Sequence, residues 1–300
     1  MKTTFATLAL TALPTFALAQ TVDVETATGQ VAVPLAPETI VALDLAAVDD
    51  ISALGLKVAG VPDITPPAYL AEAFQGTETV GTLFEPDFEA LAVMAPDLIV
   101  AGGRSQTQVE PLSQIAPTID MTISGDDLFS QAKSRVLAYG QIFDLEGKAE
   151  TLLADLDAAV EGAKSAADGK GDVLILLTNG GKVSAYGDDS RFGWLHTTLG
   201  LPEAYPELTA ETHGEAVSFE FIAEVDPDWI FVVDRGAAIG QDGEAAAVTL
   251  DNPLVAGTKA GTAGQIVYLD SAPLYLSGGG IQSMMGTIAE VSSALQADPS

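Results

Sequence analysis

Two segments of this chain are versions of each other. Phe88–Arg104, FEALAVMAPDLIVAGGR, and Phe219–Arg235, FEFIAEVDPDWIFVVDR, align without a gap at an offset of 131, with Phe, Glu, Pro, Asp and a closing Arg in register. A weaker echo, Leu-Gly-Leu at 54–56 and again at 199–201, lies at a similar though unequal offset. Each copy reads as a helix, a Pro-Asp turn, a buried strand and an arginine where the strand ends. A duplicated helix-strand unit implies two related halves, hence a bilobed molecule with a cleft between the lobes.

Other apolar runs fit that plan. TIVAL (39–43), KVAGV (57–61), DLIVAG (97–102), DVLILL (172–177), DWIFVV (228–233) and QIVYLD (265–270) are of strand length and show little polar alternation. Such runs indicate strands covered on both faces, as in parallel sheets flanked by helices, so the class is α/β. Between them, Leu145, Ala149, Leu152, Leu153, Leu156, Ala159, Val160 and Ala163 recur at spacings of three and four, with no proline from Thr118 to Gly200. That periodicity predicts a long helix over about 145–167, preceded by a shorter one over 127–142 and stopped by Gly169-Lys170-Gly171. The expected organisation is an N-terminal lobe over 20–125, a linking helical region over 126–168 and a C-terminal lobe over 169–300.

Residues 1–19 read as a secretory signal: Lys2, an apolar stretch, and the small-residue site Ala17-Leu18-Ala19, with cleavage before Gln20. With no cysteine there is no disulfide, no cysteine metal site and no lipid attachment, so the expectation is a free periplasmic protein. The 42 acidic residues against 12 basic ones leave a net charge of -30, which argues against nucleic acid and anionic membrane as partners.

Against that acidity the four arginines stand out. Arg104 and Arg235 close the two repeat copies, at the carboxyl ends of strands where open α/β sheets bind ligands. Arg191 lies in the loop GDDSRFGW, and Arg135 falls on a helical face. Guanidinium groups suit anionic or chelating oxygens; the competing role for any one of them is an ion pair with a carboxylate. His213 sits in a glycine-flanked loop and Tyr275 in SAPLYLSGGG, read as a loop before a final helix over about 281–295. Both side chains are competent ligands for ferric iron, although either residue taken alone is more often structural. His196, on the FGWLHTTLG helix, reads as packing. Phe192 and Trp194 beside Arg191 suit either a ligand ring or the core. SGGGIQS lacks the lysine of a phosphate loop and reads as a helix start. No Gly-x-Ser-x-Gly elbow is present and two histidines are too few for a three-histidine zinc site, so an enzyme has little support in these residues.

The FEALAVMAPDLIVAGGR segment, the SRFGW loop, the His213 loop, DPDWIFVVDRG and PLYLSGGG together resemble the class III periplasmic substrate-binding proteins of iron-siderophore ABC transporters, especially their catecholate and petrobactin-type branch. The resemblance implies two Rossmann-like lobes with parallel-rich sheets, a long rigid helix between them and a ligand cleft at their junction. It implies that Arg104, Arg191 and Arg235 hold catecholate oxygens, and that His213 and Tyr275 complete the iron shell when the siderophore leaves sites open. It also implies docking on an inner-membrane permease through Glu89 and Glu220, a monomer, and no cofactor beyond the Fe(III)-siderophore cargo. A haem or cobalamin binder of the same fold is the alternative, followed by a secreted cleft enzyme and a purely structural or interaction protein.

Overall fold

The computed structural model describes residues 20–125, 127–208, 214–241 and 243–297. The expected signal, residues 1–19, lies outside them. An antiparallel hairpin opens the chain, β1 (Thr21–Thr26) against β2 (Gly29–Pro34). The first sheet is parallel throughout, in the order β5-β4-β3-β6-β7, from β3 (Ile40–Ala42), β4 (Gly60–Val61), β5 (Glu78–Thr79), β6 (Leu98–Ala101) and β7 (Thr118–Asp120). Its helices are α1 (Leu45–Ala53), α2 (Phe88–Met94) and α3 (Val109–Leu112), with 3₁₀ turns at Ala68–Leu70 and Gly103–Gln108.

Two long helices follow, α4 (Leu128–Ile142) and α5 (Glu146–Ala167). The second sheet runs β10-β9-β8-β11-β12, built from β8 (Val173–Asn179), β9 (Lys182–Tyr186), β10 (Glu215–Ala216), β11 (Trp229–Asp234) and β12 (Ile266–Tyr268). β8, β11 and β12 are parallel, while β9 and β10 add an antiparallel edge. Its helices are α6 (Trp194–Leu199), α7 (Phe219–Val225), α8 (Arg235–Ala238), α9 (Ala246–Thr249), α10 (Pro253–Ala256), α11 (Lys259–Thr262), α12 (Ser271–Leu276) and α13 (Ile281–Gln296). The architecture is therefore α/β with two Rossmann-like, parallel-rich lobes. Among the described residues no helix is long and apolar enough to cross a membrane.

Burial explains the continuous apolar runs. In β6, Leu98 and Val100 face one cluster while Ile99 and Ala101 face another; in β11, Trp229, Phe231 and Val233 part in the same way from Ile230 and Val232. Both sides of each strand are covered, so neither side selects polar residues. The shared side is one cluster that runs from Ile40 and Leu98 through Tyr139 of α4, Leu156 and Val160 of α5 and Met284 of α13 to Ile175 and Phe231. α5 is thus packed along its length, about 33 Å at 1.5 Å per residue, with Ala149, Leu153, Leu156, Val160 and Ala163 on its buried stripe. Asp127 caps α4 through the Ser130 amide, and Gly169 and Gly171, both at positive φ, turn the chain after α5.

Candidate functional site

Each arginine is aimed by the backbone that precedes it. At the end of β6, Gly102 is extended and packed so closely that a Cβ would lie 2.7 Å from Asp44 Oδ2; Gly103 follows at φ 51°. The Gly102 amide donates to Ser105 Oγ at 3.0 Å and the Gly103 amide to Thr122 Oγ1 at 3.0 Å, which fixes the turn that presents Arg104. At the end of β11 there is no such turn. Asp234 caps α8 through the Ala237 amide at 3.0 Å and also accepts from Ala246 at 2.8 Å, making Arg235 the first helical residue. Arg191 follows a tight turn in which Ser190 Oγ donates to the Gly187 carbonyl at 2.6 Å, and the buried Phe192 and Trp194 anchor the start of α6 behind it.

The three side chains meet on Tyr275. Arg104 donates to the carbonyls of Tyr275 (3.2 Å) and Leu276 (3.4 Å), and Arg191 donates to the same Tyr275 carbonyl at 2.8 Å. Arg235 donates through Nε to the Tyr275 hydroxyl at 3.1 Å and through Nη1 to Asn179 Oδ1 at 3.3 Å. The guanidinium carbons of Arg191, Arg104 and Arg235 lie 4.5, 5.5 and 6.0 Å from the centre of the tyrosine ring. The carbonyls engaged by Arg104 and Arg191 belong to the last residues of α12, the negative end of its dipole, where cations are favoured.

Guanidinium groups dominate the electrostatics of this cluster. The ion pairs recorded among the described residues are lysine pairs, Lys133–Asp157, Lys164–Glu161 and Lys259 with Asp226 and Asp228. Burial and then the charge of Arg104 push Arg191 below the usual arginine value. Tyr186, packed on Phe192 at 4.8 Å between ring centres, is pushed up to about 12 by burial and stays a neutral phenol. Three converging guanidiniums, with the Asp44 carboxyl behind Arg104 as the acidic group that feels one of them, give a region of positive potential that an anionic ligand would relieve. Each guanidinium has five N–H donors, more than the hydrogen bonds to Tyr275, Leu276 and Asn179 engage.

The structure brings together Arg104, Arg191, Arg235 and Tyr275, which the sequence placed up to 171 positions apart. Tyr275 sits on helix α12, not in a loop: Pro273 occupies the first turn, where its missing N–H costs nothing. His213 lies outside the described residues; its neighbour Gly214, at φ 71°, rests against the Tyr186 ring. Glu89 and Glu220 stand exposed in the first turns of α2 and α7, away from the cluster in sequence and in element. Phe192 and Trp194 are core residues, 0% and 2% exposed, so Phe192 offers its face to Arg191 at 5.1 Å and neither ring is free for a ligand. His196 is buried with Nδ1 2.9 Å from the Leu201 carbonyl, a packing role as expected. Arg135 is buried in α4. Sequence reasoning missed Asn179 and Tyr186; both flank strand ends, the signal that had pointed to the arginines. Two cavities of about 370 and 350 Å³ open beside β12, around Tyr268 and Ala247, and the cluster lines neither.

A model of the family described as periplasmic binding protein matches residues 40–273. The chain is 38% identical over 269 residues to the petrobactin-binding protein YclQ of Bacillus subtilis, covering 88% of this chain and 84% of the relative. It is 30% identical over 272 residues to the ferric-anguibactin-binding protein FatB of Vibrio anguillarum, at the same coverages. Among solved structures, that of YclQ superposes with a TM-score of 0.88 at 35% identity, covering 93% of this chain and all of the other. The periplasmic catecholate-siderophore binding protein VctP of Vibrio cholerae superposes with a TM-score of 0.85 at 29% identity, covering 91% of this chain and all of that one.

Proposed function

The chain belongs to the periplasmic binding protein family, and from that premise we propose that it captures a ferric catecholate-type siderophore at the Arg104–Arg191–Arg235 cluster and delivers it to an inner-membrane ABC permease. The relatives named above are binding proteins for petrobactin, ferric anguibactin and catecholate siderophores. The observation that carries the ligand class is the convergence of three arginines on one tyrosine, with no arginine in an ion pair among the described residues, in a chain of net charge -30.

A ferric tris-catecholate carries a charge of about -3, which the protein repels at long range, so the attraction has to be local. In this reading catecholate oxygens replace the Tyr275 and Leu276 carbonyls as partners of Arg104 and Arg191, exchanging neutral acceptors for charged ones. The Tyr275 hydroxyl and His213 fill the iron positions that a tetradentate chelator leaves open. The protein binds its cargo and performs no reaction on it. Glu89 and Glu220 are the permease-docking carboxylates, one per lobe, with the lobes spanning 20–125 and 169–300 about the 126–168 helical region. The Glu220 carboxyl is held below its ordinary value by its own backbone amide and by Ser218, which supports a permanent charge there.

Tryptophan fluorescence tests the ligand class, since Trp194 stands three residues from Arg191. Titrations with ferric bis-catecholate, ferric tris-catecholate, ferric tris-hydroxamate and haemin are expected to show tight quenching by a catecholate complex. Tight quenching by haemin with none by either catecholate would overturn the assignment and restore the haem alternative.

A further inference from the structure

The segment that carries Tyr275 is fastened to the first lobe by groups that do not belong to the arginine cluster. α12 packs on α8 and β11 of the second lobe, and α13 lies along α5 and α1. At the start of α13 the cap residue, Gly280, has no side chain, and the helix's free amides are taken instead by two carboxylates of α1. Asp50 Oδ1 accepts from Ile281 at 2.8 Å, and Asp49 accepts from Gln282 and Ser283 at 2.9 Å each. Gly280 is required there, because a Cβ would lie 2.5 Å from Asp49 Oδ2. Both carboxylates are buried, at 0% and 1% exposure.

The same carboxylate reaches back toward the site. Tyr69, on the 3₁₀ turn Ala68–Leu70 of the first lobe, donates its hydroxyl to Asp49 Oδ2 at 2.6 Å and lies 2.7 Å from Ser277 Oγ. Ser277 Oγ in turn donates to the Pro273 carbonyl at 3.0 Å, closing the end of α12 two residues after Tyr275. Below this contact Leu45 and Leu83 of the first lobe pack with Leu276. Asp49, Tyr69, Ser277 and the end of α12 thus form a continuous, largely buried connection between the first lobe and the backbone that two of the arginines grip.

We propose that Asp49, Asp50, Tyr69 and Ser277 are a clasp that positions Tyr275, and that through it they set the affinity of the arginine cluster for its ligand. They are positioning residues: their contacts are with the ends of α12 and α13. The inference rests on the capture of a ferric chelate at that cluster. Holding the α12 terminus against the first lobe keeps the Tyr275 carbonyl where an arginine from each lobe reaches it, so the chelate meets three guanidiniums already gathered.

Tyr69→Phe tests this, since it deletes one hydroxyl and leaves the carboxylate caps. Protein labelled with 3-fluorotyrosine gives one fluorine resonance per tyrosine, and the one lost in Tyr275→Phe identifies residue 275. In Tyr69→Phe that resonance is expected to shift, and affinity for ferric bis-catecholate, read by tryptophan quenching, to fall about three- to tenfold, the effect of one hydrogen bond, with the melting temperature within a few degrees of wild type. A Tyr275 resonance and an affinity both equal to wild type would overturn the proposal. Should wild-type protein bind no ferric catecholate, the functional reading fails and the resonance still decides the clasp. Ser277→Ala, which removes the other side of the same contact, supplies the test if Tyr69→Phe does not fold.

Discussion

The two repeat copies share their frame and part company at their arginines. In both, a helix of seven residues ends on a left-handed non-glycine residue, Ala95 at φ 50° and Asp226 at φ 49°, whose amides return to Leu91 and Ile222. In both, the Pro-Asp aspartate grips the start of the neighbouring strand: Asp97 accepts from Glu38 and Thr39, and Asp228 accepts from Asp172. Beyond the strand they diverge. Arg104, after two glycines, crosses to the other lobe and holds backbone carbonyls; Arg235, set on a helix, holds the side chains of Tyr275 and Asn179 within its own lobe. The duplicated part is a scaffold that aims an arginine, and the few residues just before each arginine decide what it reaches.

If the scaffolds are equivalent, their central side chains should matter equally. Leu91 and Ile222 are both fully buried, each on its own sheet's outer side. Leu91→Ala and Ile222→Ala are each expected to cost about 2–5 kcal/mol in urea unfolding, the range for truncating a buried aliphatic. Costs that differ by several-fold would break the equivalence and show that one lobe tolerates a cavity the other does not.

The arginines should separate where the side chains do not. Arg104→Ala and Arg235→Ala are each expected to weaken binding of an anionic ferric chelate by about 1–3 kcal/mol, the usual loss for a charge-assisted hydrogen bond. Only Arg104→Ala is expected to lower the melting temperature as well, because it alone removes contacts between lobes. Equal melting temperatures for the two variants would mean that the carbonyl contacts contribute nothing to stability.

A further asymmetry lies in α1, which follows β3 in the first lobe, whereas β8 in the second is followed by the β9 hairpin. Burial pushes Asp49 up to about 6 and, with the charge of Asp49, pushes Asp50 well above the ordinary 3.8; burial also raises Asp44. The groups facing this pair are Arg135 and Tyr139 of α4, Asp44, Tyr69, and the amides of α13. Between pH 3.8 and about 6 Asp49 is more protonated in the folded state than in the unfolded one, so its contribution to stability falls as pH rises through that window. The expected loss from Asp49 is on the order of 2 kcal/mol. His196, lowered by burial, works in the opposite direction. Relief of the general negative charge acts in the same direction as Asp49, so the measurement is a difference. Denaturation of wild type and Asp49→Asn at pH 4.5 and 7.5 should show a flatter profile in the variant, and parallel profiles would place the pH dependence elsewhere.

Much of this was legible in sequence because it is local or repeated. The six apolar runs became β3, β4, β6, β8, β11 and β12, and the periodic stretch became α5 within a residue of its expected start. The β1–β2 hairpin was missed although Val22, Val24, Val31 and Val33 alternate around a Gly29 turn, a signal weaker than the buried runs. The clasp was not legible at all. No motif marks Asp49 and Asp50, and their partners on α13 lie more than 230 residues away. The arginines were recognisable as a class, but Tyr275 as their common partner depends on how α12 docks, which no local pattern encodes.

The smallest expected effect bears on the left-handed residues that end the two helices. An L-residue in that conformation costs about 1–2 kcal/mol, and glycine avoids it while losing about 0.5–1 kcal/mol through the freedom of its unfolded chain. Ala95 is exposed and its methyl group can form no hydrogen bond, so Ala95→Gly is expected to raise stability by about 0.5 kcal/mol. Asp226 occupies the matching position with a side chain whose Oδ1 accepts from the Lys259 amide at 2.8 Å. Aspartate also tolerates this conformation better than alanine, so Asp226→Gly should gain nothing and lose that hydrogen bond, a net cost of about 0.5–1.5 kcal/mol. Opposite signs in thermal unfolding would show that the second copy has turned a strained joint into an anchor for α11. The same sign in both would mean that the joint is no more than a turn in either lobe.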